Sequence, residues 1–143
     1  MTEFSDNPSV REISVYRMGQ HQNDLVVVEE PLEIRVNGES LAVVLRTPSA
    51  ESRDDVDLAL GFLATEGVID DMDDIVAIGH CTDPNVANRH NVVVASLAAG
   101  TYRQFERIRR ARRSFFVGSS CGVCGKTSIC LLYTSDAADE FSC

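Results

Sequence analysis

The sequence predicts a mixed α/β fold, and three observations carry that reading. Leu32, Ile34 and Val36 alternate with Glu33 and Arg35, Asn37-Gly38 follows, and an apolar run returns from Leu41 to Leu45. Period-two alternation on one side of an Asn-Gly pair and an apolar run on the other mark a β-hairpin. Val56, Ala59, Leu60 and Leu63 then recur at helical spacing. Two apolar, β-rich runs, Ile75 to Ile78 and Val92 to Leu97, come after the helix. Strands that precede and alternate with helices favour a mixed arrangement. The hairpin requires at least one antiparallel pair within it.

Each element has a local cause. Glu12 to Met18 is a first strand, with Ile13 and Val15 between polar neighbours. Leu25 to Val28 is a short apolar run, and Pro31 so soon after it predicts a broken or edge strand. Arg46-Thr47-Pro48 ends the returning arm of the hairpin. Ser52 is the expected N-cap of the helix, with Asp54 and Asp55 in the first turn, where carboxylates suit the dipole. Gly67 suits the position just beyond the helix end. Gly61, inside the helix, is expected to permit close packing, because an exposed interior glycine costs about 1 kcal/mol relative to alanine. Asp70 to Asp74 reads as an acidic, solvated loop and lacks the spacing of a calcium loop. The runs at 75–78 and 92–97 read as buried strands. Thr101 and Gln104 resemble a capping box ahead of a second helix, with Tyr102, Phe105 and Ile108 on its inner face. Phe115 to Val117 is a short strand leading into a cysteine loop.

The chain of 143 residues is 44% hydrophobic, which suits one domain with one modest core. No apolar run approaches the ~18 residues of a membrane span. Met1 to Val10 contains Glu3 and Asp6 and has no apolar segment of the signal-peptide kind, so a cytoplasmic protein is expected. The net charge of −9 conceals an asymmetry. Residues 1–100 carry 6 basic and 18 acidic side chains, whereas residues 101–126 carry 7 and 1. Such an acidic chain, with little aromatic interleaving in its basic stretch, argues against nucleic acid as a partner.

Five cysteines, Cys81, Cys121, Cys124, Cys130 and Cys143, are odd in number and irregular in spacing. That pattern is unlike a secreted disulfide framework. Cys121-Gly122-Val123-Cys124-Gly125-Lys126 is the motif with the most chemistry. Two thiols sit two residues apart in a glycine-rich loop, after Arg103, Arg107, Arg109, Arg110, Arg112 and Arg113. A thiol reacts as thiolate, and nearby cations favour that form. Cys121 and Cys124 are the candidate catalytic residues.

Other readings stand beside this one. A CxxC pair is half of a zinc site, but His80, Cys81, His90 and Cys130 form no second ligand pair at standard spacing, and no metal is expected. A thiol–disulfide oxidoreductase normally has its CxxC early in a βαβ unit, not after about 120 residues of other structure. Zinc deaminases need H-x-E and P-C-x-x-C. Here Cys81-Thr82 follows His80 and Ser120 precedes Cys121, so the general acid/base is missing.

Three blocks carry a family resemblance. Glu30-Pro31-Leu32-Glu33-Ile34-Arg35-Val36-Asn37-Gly38 is the first. Arg46-Thr47-Pro48, Leu58-Ala59-Leu60-Gly61-Phe62-Leu63 and Glu66-Gly67-Val68-Ile69 form the second. Ser120-Cys121-Gly122-Val123-Cys124-Gly125-Lys126 is the third. In this order they resemble the formate dehydrogenase accessory protein family, FdhD, over roughly residues 12–129. The resemblance implies a β-hairpin region leading into an incomplete cytidine-deaminase-like core without deaminase activity. It implies a sulfurtransferase that takes persulfide sulfur from a cysteine desulfurase and passes it to the molybdenum cofactor of formate dehydrogenase. That cofactor, in its bis-guanine-dinucleotide form, is the sulfur acceptor, and none is tightly bound. Cys121 matches the persulfide-carrying cysteine and Cys124 the second loop cysteine. The family is expected to act as a homodimer, away from membranes. A non-enzymatic module that binds a partner or zinc through the CxxC loop, and an oxidoreductase, are the alternatives.

Residues 1–129 are read as the N-terminal portion of such a domain, and 130–143 as a non-native tail unlike the family's continuation. Cofactor-contacting residues are expected in the family's C-terminal half, and activity is expected of the complete parent rather than of this piece. Replacing Arg109, Arg110, Arg112 and Arg113 with Gln is expected to slow alkylation of Cys121 several-fold at neutral pH. An unchanged rate would show that these cations do not set its thiolate content.

Overall fold

In the computed structural model, residues 7–99, 103, 104, 106–108 and 110 are described. The strands are β1 (Val10–Arg17), β2 (Gln20–Val27), β3 (Glu30–Val36), β4 (Glu39–Arg46), β5 (Ile75–His80) and β6 (Val92–Leu97), and one long helix, α1, spans Ser52–Thr65. Residues 103, 104, 106–108 and 110 are also helical. The mixed α/β expectation therefore holds. Among the described residues no helix is long and apolar enough to cross a membrane.

β3 and β4 form the expected antiparallel hairpin. Asn37 (φ 49°) and Gly38 (φ 82°) both take positive φ, as a two-residue turn matched to strand twist requires. Asn37 has a second task. Its N–H donates to the Ala95 carbonyl at 2.9 Å, and its Oδ1 accepts from Leu97 N at 2.8 Å. The turn thus fastens β6 alongside β3, and the two strands run parallel. β5 pairs antiparallel with β6, which gives the order β4-β3-β6-β5.

Alternation along the strands sorts side chains to two faces. Leu32, Ile34 and Val36 of β3 join Leu41, Ala42, Val93 and Ala95 against Ala59 and Leu63 of α1. Burying side chains such as Leu32 and Leu63 contributes about 1.5–3 kcal/mol each. On the other face Val43 and Val92 pack together, with Cys81 beside them. Glu33 shares that face and is also buried, with Arg35 Nε donating to its Oε1 at 2.7 Å. On this face of β3 Glu33 is enclosed, whereas Arg35 is half-buried.

The helix ends as its sequence requires. Gly67 (φ 65°) follows the C-cap residue Glu66. Gly67 N donates to Ala64 O and Val68 N to Leu63 O, a Schellman closure with Val68 and Leu63 in one apolar cluster. The start differs by one residue from the expected cap. Ser52 is already helical, and Glu51 occupies the cap position without a side-chain cap bond.

Some expectations hold and others are corrected. Of the two readings of the Leu25 to Val28 run the edge strand holds: β2 is unbroken and pairs with β1 alone, over its whole length, through a turn at Met18 (φ 53°) and Gly19 (φ 82°). β5 is an edge strand and half-exposed, with Val76 facing solvent. Asp70 to Asp74 is largely exposed, as expected, and is also a built turn. Asp71 caps the 3-10 turn Met72–Asp74 in a capping box. Backbone N–H donation from Asp70 at 2.7 Å holds the Asp74 carboxyl below the usual range, with help from Asp71, Gln104 and Arg107. The stability this carboxylate contributes is present above the ordinary aspartate pKa and is lost as pH falls through the lowered value. Gln104 is buried beside it, and Ile108 packs on the core as expected. Thr101, Tyr102, Phe105 and 115–117 lie outside the described residues.

Among the described residues nothing packs closely on Gly61. A Cβ built there meets no described atom within 4 Å. Gly61→Ala is therefore expected to stabilise the protein by about 0.5–1 kcal/mol through helix propensity. A urea midpoint that falls would contradict this.

Candidate functional site

The antiparallel and parallel pairings bring four strand ends to one end of the sheet. β3 begins there at Glu30 and β4 ends there at Arg46, directly paired across the hairpin. β6 begins there, and β5 ends there at His80, opposite Val93. The first turn of α1 adds Asp55. The sequence spreads these residues over more than sixty positions, and only the topology collects them.

Arg46 is at the centre, with its side chain only 8% exposed. Its Nη2 donates to Asn91 Oδ1 at 3.1 Å. Its Nε lies 3.1 Å from Asp55 Oδ1, and its Nη1 lies 3.5 Å from Glu30 Oε2. Neither Nε nor Nη1 makes a hydrogen bond to these carboxylates, although both atoms are shut off from solvent. Asp55 Oδ2 in turn faces His80 Nε2 at 3.6 Å. Asn91 Nδ2 donates to Glu30 Oε2 at 3.4 Å, which closes the ring. A buried guanidinium is costly unless carboxylates compensate it, and two carboxylates from different elements do so here.

Glu30, Arg46, Asp55 and His80 line an open cleft of about 510 Å³. Its walls add Cys81, Arg89 and His90, and Pro8 from the base of the β1–β2 hairpin. That base is pinned by Ser9 Oγ donating to the Pro48 carbonyl at 2.6 Å. Cys81 is a free thiol, partly exposed. Its backbone N–H donates to Val92 O at 2.9 Å, which fixes where the thiol emerges.

Cys121 and Cys124 lie outside the described residues, as do Cys130, Cys143, Arg109, Arg112, Arg113 and Lys126. Among the cations ahead of the loop, Arg107 is engaged elsewhere, in an ion pair with Asp70 at 2.5 Å. His80, Cys81 and His90, considered above as zinc ligands, do meet at one cleft. Among the described residues, however, no group of three or more His, Cys, Asp or Glu side chains is placed to hold a metal ion.

The charged cluster was not legible as a site. Asp55 reads in sequence as a first-turn carboxylate in water, like Asp54. In the fold it is 8% exposed. Its position four residues before Ala59, and eight before Leu63, places it on the inward face of α1, and that spacing is the one available signal.

Comparison with known proteins agrees with the three sequence blocks. A model of the FdhD/NarQ family matches residues 27–140. The chain is 46% identical over 121 residues to the "Sulfur carrier protein FdhD" of Anaeromyxobacter dehalogenans (strain 2CP-1 / ATCC BAA-258), covering 85% of this chain and 41% of that protein. The protein of the same name from Mycolicibacterium paratuberculosis (strain ATCC BAA-968 / K-10) is 44% identical over 108 residues, covering 74% and 37%. That of Mycobacterium tuberculosis (strain ATCC 25618 / H37Rv) is 39% identical over 111 residues, covering 74% and 38%. The chain spans about two fifths of the length of these relatives.

Removing one member of the buried cluster leaves an uncompensated charge. Asp55→Ala is expected to cost about 3–5 kcal/mol in urea unfolding. Asp57→Asn breaks the exposed Arg53–Asp57 pair, where the side chains are 83% and 56% exposed, and is expected to cost under about 0.5 kcal/mol. Similar losses for the two variants would contradict the account of the cluster.

Proposed function

Because the chain belongs to the FdhD/NarQ family, we propose that it carries the sulfur-accepting loop of a sulfur carrier protein, with Cys121 as the residue that holds the transferred sulfur. One observation supports this above others: Cys121 and Cys124 stand two residues apart in a glycine-rich sequence, in a chain whose relatives are named sulfur carriers. Gly122 and Gly125 allow backbone conformations closed to other residues, so a second protein can approach the sulfur closely.

The chemistry follows from thiol–persulfide exchange. The Cys121 thiolate attacks the outer sulfur of a donor persulfide. The donor's S–S bond breaks, its thiolate leaves, and Cys121 becomes the persulfide. The donor in this proposal is a cysteine desulfurase. The acceptor is the molybdenum bis-guanine-dinucleotide cofactor of formate dehydrogenase, met as a substrate rather than held as a resident group. Cys124 assists release by attacking the inner sulfur of the Cys121 persulfide. Hydrosulfide departs and a Cys121–Cys124 disulfide remains, which a dithiol reductant must then reopen. A cytoplasmic homodimer with a cytidine-deaminase-like core completes the proposal, as does sulfur delivery by a protein of the relatives' full length.

The cleft at Arg46 has a supporting place in this reading. Its ion-pair cluster fixes the hairpin, helix and inner strand that bear the first two family blocks. Those blocks coincide with structural features: Glu30 and Arg46 with the cluster, Gly38 with the turn, and Gly67 with the helix end.

Incubation of the chain with a cysteine desulfurase and cysteine, followed by intact-mass measurement, tests the assignment. The expected result is one added sulfur, lost on reduction and absent in Cys121→Ala. Cys124→Ala is expected to load sulfur normally and to release it more slowly. Bound zinc, or a Cys121–Cys124 bridge with no added sulfur, would overturn the proposal.

A further inference from the structure

The cleft at the sheet end is lined by opposite charges in contact with each other. Arg46 and Glu30 form a loose pair there, with 3.5 Å between Nη1 and Oε2 and no hydrogen bond from Nη1 across it. The Glu30 side chain is 38% exposed and held by one long bond, from Asn91 Nδ2 at 3.4 Å, so its carboxylate can turn into the cleft, whereas Arg46 is buried between Asn91 and Asp55. Arg46 Nε and Nη1 are buried donors that lack a well-placed acceptor. Buried donors are normally satisfied, and leaving one unmet is unfavourable. A simple anion would satisfy Arg46 but would meet the Glu30 and Asp55 carboxylates at the same place. A simple cation would meet Arg46 and Arg89. A ligand that carries both charges, one carbon apart, fits between them.

We propose that this cleft binds a small zwitterion of the α-amino-acid type, inserted into the Arg46–Glu30 pair. The ligand carboxylate accepts from Arg46 Nη1, which the Glu30 oxygen at 3.5 Å leaves without a hydrogen bond. The ligand ammonium donates to Glu30, which swings outward to receive it. Arg89, exposed and also lining the cleft, adds positive charge. Cys81 lies on the cleft wall and reports occupancy. The inference stands apart from the sulfur-carrier reading, since it uses neither Cys121 nor Cys124.

The experiment follows alkylation of Cys81 in the full chain by iodoacetamide, with glycine, acetate or methylammonium as probes. It is read on the peptide between Arg53 and Arg89, which holds no other cysteine. Glycine is expected to slow the reaction several-fold at saturation, and acetate and methylammonium are expected to leave it unchanged. Glu30→Gln is expected to raise the half-protecting glycine concentration about tenfold, the loss of one charge-assisted hydrogen bond. Arg17→Gln, on the β1–β2 hairpin, is expected to keep the wild-type value. Protection by acetate or methylammonium equal to that by glycine overturns the proposal, as does no protection at all. Glycine protection that is unaltered in Glu30→Gln overturns it too. The wild-type probe series decides the matter even if the variant does not fold.

Discussion

The guanidinium of Arg46 is the constraint around which the described part of this protein is organised. It sits at the end of an outer strand, almost fully covered, and three other segments must come to it. Glu30 arrives from the start of β3, Asp55 from the first turn of α1, and Asn91 from the approach to β6. The isolated Born cost of burying such a charge is of order 20 kcal/mol and remains several kcal/mol after relaxation. That cost is tolerable only where compensating groups are held in position, so the cluster specifies how helix and strands meet. Exposed pairs such as Arg17–Asp24 and Arg53–Asp57 carry no comparable constraint.

Asn37 plays the corresponding part at the other end of β3. A turn residue whose main chain and side chain both bond to β6 sets the register of a parallel pair that local sequence does not specify. Between the two ends, β3 has a neighbour on each side and both of its faces buried. The edges, β4 and β5, are correspondingly less enclosed. The open cleft lies at the Arg46 end, where strand ends, the helix start and the base of the first hairpin leave space.

Much of the fold was legible because its causes are local. Asn37-Gly38 demanded a tight hairpin turn, and Gly67 marked a helix end. Period-two alternation in β3 and the spacing of Ala59 and Leu63 gave the buried faces. Where the reading failed, tertiary context outweighed local chemistry. Met18 is not a residue expected at positive φ, so the β1–β2 turn was hidden although Gly19 stood beside it. Val76 looks like core but lies on an edge strand. Gly61 looked like a packing glycine, but among the described residues it has no neighbour across the helix. Asp55 could not be told from Asp54 until the helix had a face to bury. The thiol motif is read from sequence alone: two cysteines, glycines and cations close in sequence suggest its chemistry, and it lies outside the described residues.

The protein therefore presents two kinds of information. The family blocks and the cysteine loop argue for sulfur chemistry, and the strand ends argue for a charged cleft built on one guanidinium. The second rests on a single physical claim, that Arg46 and Asp55 are energetically coupled. A double-mutant cycle of Arg46→Met and Asp55→Leu, measured by urea unfolding, tests it most directly. The account predicts a coupling of about 2–3 kcal/mol, with the double variant far more stable than the sum of the single losses implies. Additive losses, with coupling near zero, would contradict it.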